Sequence, residues 1–115
     1  MKEGDIVLAS IPQADGKTKS RPAVALRSMP PFGDLLICGV STQLHQEVVG
    51  FDDRIEPRDR DYPSSGLKAA SLIRLGFLAV VPKEQLGGSI GELAPERYRR
   101  LLTRLCQHLQ AQPSR

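Results

Sequence analysis

The sequence contains no tryptophan and only three phenylalanines and two tyrosines among its 115 residues. Its core must therefore be mainly aliphatic, and a large aromatic platform for stacking bases is not expected. It has no glycine-rich phosphate-binding loop, which argues against a P-loop nucleotide hydrolase. No apolar run approaches the roughly 20 residues that a transmembrane helix needs. We therefore expect a cytoplasmic protein without a membrane segment.

Cysteines and histidines are equally scarce. Cys38 and Cys106 match no metal-ligand spacing, and both lie in apolar patterns, so we predict buried free thiols in a reducing compartment. His45 and His108 are the only histidines, and no serine has the glycine pattern of a nucleophile elbow. A Ser-His-Asp triad is thus unsupported, and we predict neither a metal nor an organic cofactor.

The net charge is weakly positive. Lys and Arg number 16 against 13 Asp and Glu, which gives +3, and the calculated isoelectric point is about 9.1. This balance tolerates a polyanionic partner without requiring one. The length fits one domain with one core, and no internal repeat is visible, so we predict a single domain over residues 1–115.

Short apolar segments at residues 6–11, 21–27 and 35–40 indicate three strands, and residues 71–81 indicate one further strand bent at Gly76. A short strand is also expected around Val48. Residues 52–65 are polar and alternate in charge, which is typical of a solvated loop.

The last element is predicted to be a helix from Pro95 to about Gln110. Proline suits the first helical position, and the apolar residues after it keep a 3.6-residue period. Several short strands followed by one amphipathic helix predict a mainly β fold. We expect five to seven mostly antiparallel strands in a strongly curved sheet or barrel, capped by the C-terminal helix.

Polar side chains stand where several of these strands begin or end. Pro22 is expected at the start of the second strand, with Arg21 as the last polar group before the core. Ser41 stands at the exit of the third strand, and Arg74 is likewise expected at the mouth of a strand. Each residue alone is weak evidence for a functional site, since a charged side chain at a strand end commonly serves only to prevent edge-to-edge pairing with another chain. Spacing alone does not say whether they converge.

Taken in order, these segments resemble the MazF/PemK/Kid toxin family. The opening residues 4–8 (Gly-Asp-Ile-Val-Leu) and residues 21–24 (Arg-Pro-Ala-Val) resemble its first two strands. Residues 37–43 (Ile-Cys-Gly-Val-Ser-Thr-Gln) resemble its third strand. Residues 66–74, from Gly-Leu-Lys to Arg, and residues 90–93 (Ile-Gly-Glu-Leu) resemble its later segments. No single motif is specific, but the ordered set is fairly specific and spans nearly the whole chain.

The resemblance implies an SH3-like barrel of the MazF/Kid/CcdB type, usually a homodimer, that is neutralised by a cognate acidic antitoxin. It also implies a metal-independent endoribonuclease that cuts single-stranded mRNA by attack of the ribose 2′-oxygen. By matched position, Arg21 would be the active-site arginine and Ser41 would replace the active-site threonine. Arg74 would be a second catalytic arginine, found in part of the family. Gly76 stands where some members carry an acidic base, so a carboxylate-base mechanism is not expected.

Polar residues near these positions are candidates for RNA binding. Two lysines precede Arg21 in the first turn, and a polar stretch follows Ser41; the candidates are Lys17, Lys19, Thr42, Gln43 and His45. His45 is a possible base only if its loop folds inward, and a surface histidine is the more favoured interpretation.

Three other functions remain open. A barrel of this kind could bind RNA or protein without cutting, or serve only as a dimerisation domain. A gyrase poison of the CcdB type is disfavoured, because that group ends in Trp-Gly-Ile whereas this chain has no tryptophan and ends in Pro-Ser-Arg.

Overall fold

The computed structural model of the chain describes residues 1–12 and 14–113. Within them the backbone forms a six-stranded sheet in which every pairing is antiparallel. The strands are β1 (Asp5–Pro12), β2 (Thr18–Met29), β3 (Asp34–Ser41), β4 (Asp53–Ile55), β5 (Ser71–Val81) and β6 (Leu86–Glu92). Their order across the sheet is β4-β5-β3-β2-β1-β6.

Two α-helices accompany the sheet in the described residues. Helix α1 (Tyr62–Ser65) is a single turn before β5, and helix α2 (Pro95–Gln110) follows β6 with the bounds that the sequence predicts. A mainly β, curved antiparallel sheet with a C-terminal helix is therefore confirmed. No helix in the described part of the chain is both long and apolar enough to cross a membrane.

Alternate residues of β2 pack into two hydrophobic clusters, one on each face of the sheet. Val24 and Leu26 belong to the larger cluster, which α2 covers with its buried leucines. Ala23 and Ala25 belong to the second cluster, together with residues of β1 and β3. Successive strand residues point to opposite faces, so Arg21 projects from the same face as Ala23.

The prediction that residues 52–65 form a solvated loop is wrong. The segment contains β4 and α1, and its Asp53 and Asp61 side chains are buried. The cause is Arg97 of α2, which is only 7% exposed. Its Nη1 donates to Asp53 at 2.8 Å, its Nε to Asp61 at 2.8 Å, and its Nη2 to Asp59 at 3.2 Å. A buried guanidinium requires such partners, so these carboxylates face a cation rather than water.

The same network determines how α2 begins. Ala94 precedes the helix and provides no side-chain cap, but its backbone N–H donates to the Asp61 carboxylate at 3.0 Å. Burial alone would raise the pKa of Asp61. The hydrogen bonds from Arg97 and Ala94 outweigh burial and hold the pKa below its ordinary value. A loop carboxylate distant in sequence thus replaces the missing cap.

The predicted start of β2 is also wrong. The strand begins at Thr18, so Pro22 lies within it and opposite Leu8 of β1. Proline is tolerated there because β3 pairs with β2 only from Ala23 onwards. The segment before Ala23 is therefore at an edge on that side, where a missing N–H breaks no ladder.

Two predictions are wrong because the side chains concerned are exposed: the strand around Val48 and the burial of Cys106. Residues around Val48 form no strand; a 3₁₀-helix (Leu44–Gln46) precedes them, and Val48 and Val49 are exposed. Cys38 is buried as predicted, whereas Cys106 is exposed. Cys106 follows the buried Leu105 on α2, and one residue along a helix turns the side chain by about 100° away from the core.

Candidate active site

The bend predicted at Gly76 is a large irregularity in the pairing of β3 with β5. Arg74 pairs with Gly39, but the next pair along β3 joins Cys38 to Leu78. Three residues of β5 therefore lie unpaired with β3 where a regular ladder would have none. Bulges of this kind bend a strand and redirect its side chains. Here the bulge places Phe77 beside Arg74 at the mouth of the same cavity.

The registers of three strands bring the predicted polar residues to one face. Ala23 of β2 pairs with Gly39 of β3, and Gly39 pairs with Arg74 of β5. Arg21 lies two residues before Ala23 on β2, and Ser41 lies two residues after Gly39 on β3. Because side chains alternate with a period of two, all three polar side chains project from the face that carries Gly39.

A cavity of about 290 Å³ opens on this face. Ser41, Arg21 and Arg74 line it, and Thr42 and Gln43 form its rim where the chain leaves β3. The remaining lining comes from Pro22, Gly39, Val40 and Phe77. The structure thus brings five of the sequence-predicted residues together.

Neither cavity arginine is neutralised by the described part of the protein. None of the ion pairs formed by the described residues involves Arg21 or Arg74. By contrast, Arg97 contacts three carboxylates and Arg54 contacts two. Two guanidinium groups that have no counter-ion among the described residues and that line one small cavity favour the binding of an anion. The planar, forked guanidinium suits phosphate oxygens.

The Ser41 hydroxyl is held in a defined position. Its Oγ accepts a hydrogen bond from the Gln43 backbone N–H at 3.0 Å. Because that contact uses an acceptor position, the hydroxyl hydrogen remains able to donate into the cavity. Ser41 can therefore give one neutral hydrogen bond to the same anion that the arginines attract.

The described lining contains no carboxylate and no imidazole. The thiol of Cys38 lies next to Gly39 in sequence, but burial raises its pKa to about 12, so it is protonated at neutral pH. No group of three His, Cys, Asp or Glu side chains suited to a metal ion occurs in the part of the chain that the structure describes.

Three predicted RNA-binding residues lie outside the cavity lining. Lys17 and Lys19 are exposed in and beside the β1–β2 turn, and His45 is exposed in the 3₁₀-helix after β3. Lys19 stands two residues before Arg21 on β2 and so shares its face, roughly 7 Å along the strand. The basic surface therefore extends from the cavity toward the turn, while His45 does not fold inward.

Sequence reasoning missed two residues of the site, Gly39 and Phe77. Phe77 reads as part of an apolar strand, and only the bulge brings it to the cavity. Gly39 does not have the positive φ that favours glycine. A Cβ built there would lie 2.9 Å from Cδ1 of Phe77, so any side chain at this position would require the ring to move. A glycine inside a strand was the available signal, since it often marks a close approach.

Comparison with known proteins gives one family and one fold. A model of the PemK-like, MazF-like toxins of type II toxin–antitoxin systems matches residues 2–109. Among solved structures, the chain is similar to the Mycobacterium tuberculosis toxin MazF-mt6, with 18% sequence identity and a TM-score of 0.66. That similarity covers 94% of this chain and 98% of that chain. No curated protein sequence matches.

Proposed function

Because the chain belongs to the PemK-like, MazF-like toxins of type II toxin–antitoxin systems, we propose that it is a metal-independent endoribonuclease cutting single-stranded mRNA in the cytoplasm. The observation that carries the proposal is the pair of arginines, Arg21 and Arg74, which have no ion-pair partner among the described residues and face one cavity with the Ser41 hydroxyl. A scissile phosphate has the charge and the hydrogen-bond acceptors that these three groups require.

In the proposed reaction, the ribose 2′-oxygen attacks the adjacent phosphorus and the bond to the 5′-oxygen breaks. The products are a 2′,3′-cyclic phosphate and a 5′-hydroxyl. Arg21 and Arg74 stabilise the negative charge that develops on the phosphorane oxygens, and Ser41 donates a further hydrogen bond. Binding the phosphate between three strands also restricts the attacking and leaving oxygens to an in-line arrangement.

Proton transfer is the step to which the cavity contributes least. Arginine is a poor base, since its pKa lies above about 12. We therefore assign both arginines first to charge stabilisation and only second to proton transfer. Solvent water is the first acceptor of the 2′-proton and the first donor of a proton to the 5′-oxygen, and the arginines come second in both roles. Gly76, in place of an acidic residue, is consistent with a mechanism that lacks a carboxylate base.

RNA on either side of the phosphate would meet the polar rim. Thr42 and Gln43 are exposed and can hydrogen-bond to the edges of unstacked bases. Lys19 and Lys17 would contact phosphates further along the strand, and His45 would lie at the outer limit of the contact. The same basic surface would receive an acidic antitoxin, whose carboxylates imitate RNA phosphates. We also expect the active form to be a homodimer.

The test is incubation with long single-stranded RNA in EDTA. We expect cleavage fragments that carry 2′,3′-cyclic phosphate and 5′-hydroxyl ends, and none from a strand with 2′-deoxyribose throughout. Cleavage of the deoxy strand, or loss of cleavage on chelation, would refute the proposed chemistry.

A second function is a module of the same fold that binds RNA without cutting it. The lack of a carboxylate or imidazole in the described lining favours this alternative. It predicts that the same RNA is retained in a gel-shift measurement and remains intact after prolonged incubation.

A further inference from the structure

The Phe77 ring is a large apolar surface next to an anion-binding site. The side chain is 50% exposed, although it belongs to a strand whose first residues are buried. It lines the same cavity as Arg21 and Arg74. A phosphate alone does not require an aromatic neighbour, so this ring is unexplained by the chemistry proposed above.

The ring reaches the cavity because the pairing of β3 with β5 is irregular beside it. The three unpaired residues in the β3–β5 ladder end with Phe77, just before pairing resumes at Leu78. Gly39 lies beneath the ring, and a glycine inside a strand is less stable than alanine. Its φ does not require glycine, so the steric reason is the ring, which would lie 2.9 Å from the methyl group of an alanine at this position.

We propose that Phe77 is a stacking platform for the nucleobase next to the phosphate bound by Arg21 and Arg74, and that Gly39 provides the space for its ring. This inference rests on the proposed function of the cavity, which it deepens by specifying how one base is held. Every base has a π-face, so such a platform fixes the position of the strand and leaves sequence selection to the polar rim. Stacking on one side of the scissile phosphate restricts rotation about the sugar that carries the 2′-oxygen.

The test measures binding rather than cleavage. A fluorescent mixed-sequence strand of about ten nucleotides, fully 2′-O-methylated so that it is not cut, is compared with an abasic strand of equal length. Phe77→Ala should weaken binding of the base-bearing strand by about 5- to 150-fold, the range for loss of one stacked base. Binding of the abasic strand should not change. Phe77→Tyr should bind like the parent, and Phe77→Leu like Phe77→Ala.

Phe32 provides the matched control. It is 87% exposed in the β2–β3 turn and does not line the cavity. Phe32→Ala should leave the affinity for both strands unchanged. Parent-like binding by Phe77→Leu, or equal losses on both strands for Phe77→Ala, would overturn the proposal. So would a Phe77→Ala protein that binds normally but no longer dimerises in sedimentation, because the ring would then belong to a protein interface.

Gly39 allows an independent test. Gly39→Ala should displace the ring and lower the affinity for the base-bearing strand, whereas in a Phe77→Ala background it should cost nothing further. Equal effects of Gly39→Ala in the two backgrounds would show that the residues do not act together. Circular dichroism verifies the fold of each variant, and the half-exposed Phe77 series remains informative if Gly39→Ala unfolds.

The two proposals fail in different ways. A parent protein that binds the methylated strand but cuts no RNA refutes the endoribonuclease and still permits the Phe77 comparison. A parent that cuts RNA while Phe77→Ala binds and cuts at the parent level refutes only the stacking platform. A parent that neither binds nor cuts refutes both.

Discussion

Arg74 of β5 lies directly opposite Gly39 of β3, and their Cα atoms are partners in the antiparallel ladder. Residues paired in this way point to the same face, so the arginine side chain rises where its partner has none. The space above Gly39 is taken by the Phe77 ring, so the ring and Arg74 lie side by side in the cavity lining.

Removing a cavity arginine should reduce cleavage more than it reduces stability. Arg21→Ala should lower the cleavage rate by at least about 100-fold, the scale for loss of an electrostatic donor to the transition state. Arg74→Ala should have an effect between those of Arg21→Ala and Ser41→Ala. Arg27→Ala is the matched control, since Arg27 lies on the same strand but pairs with Glu3 at 3.3 Å. Cleavage by Arg21→Ala at the rate of the control would contradict the assignment.

Changes at Ser41 should separate the hydroxyl from the side-chain shape. Ser41→Ala should slow cleavage by only about 2- to 12-fold, since one neutral hydrogen bond contributes about 0.5–1.5 kcal/mol. Ser41→Thr should retain activity, because it keeps the hydroxyl and its β-branched side chain suits a strand. Rates measured on one RNA substrate provide the comparison. A threonine variant as slow as the alanine variant would argue against hydrogen bonding by Ser41.

The buried ion network should be essential for stability but not for the chemistry. Arg97→Met leaves Asp61 buried without its guanidinium partner, and we expect a loss of about 3–5 kcal/mol in the free energy of unfolding. Urea denaturation at neutral pH measures this loss. A loss below about 1 kcal/mol would mean that the remaining arginines near Asp53 compensate.

The same network predicts that stability falls in acid. The folded pKa of Asp61 lies below its ordinary value of 3.8, so the carboxylate stabilises the fold fully above that value. The contribution is lost as the pH falls from about 4 through the lower folded pKa. Asp61→Asn should be less stable at neutral pH and should lose less stability over this range. Asp15→Asn, in the exposed β1–β2 turn, is the control, and parallel curves for the two variants would contradict the role of Asp61.

Charge reversal beside the cavity should weaken antitoxin binding. Lys17→Glu with Lys19→Glu should lower the affinity for an acidic partner and flatten its dependence on salt, because fewer opposite charges then meet. The exposed pair Lys68→Glu with Lys83→Glu changes the net charge equally and lies outside the cavity lining. Titration calorimetry at two salt concentrations makes the comparison. Equal losses for both pairs would indicate a general charge effect rather than a site.

The features that follow a local pattern could be predicted from the sequence. The bounds of α2 follow from Pro95 and the 3.6-residue period after it, and Gly76 correctly marks the bend in β5. Residues 52–65 could not be interpreted locally, because the cation that buries their carboxylates is Arg97, far along the chain. Phe77 joins the site only through an irregular register, which alternation along a strand does not reveal.

The contact between Arg97 and the carboxylates of β4 and its following turn also has a consequence for the order of assembly. A ribosome makes the acidic segment well before it makes α2, so through much of synthesis these carboxylates have no guanidinium partner and no helix to cover the sheet. The face of β2 that carries Leu26 stays open for the same interval. The nascent chain can therefore form its hairpins early, but it cannot close its core until Arg97 has been added. A chain built in this way completes its folding late, because the residue that holds the acidic segment in place is among the last fifth to be synthesised.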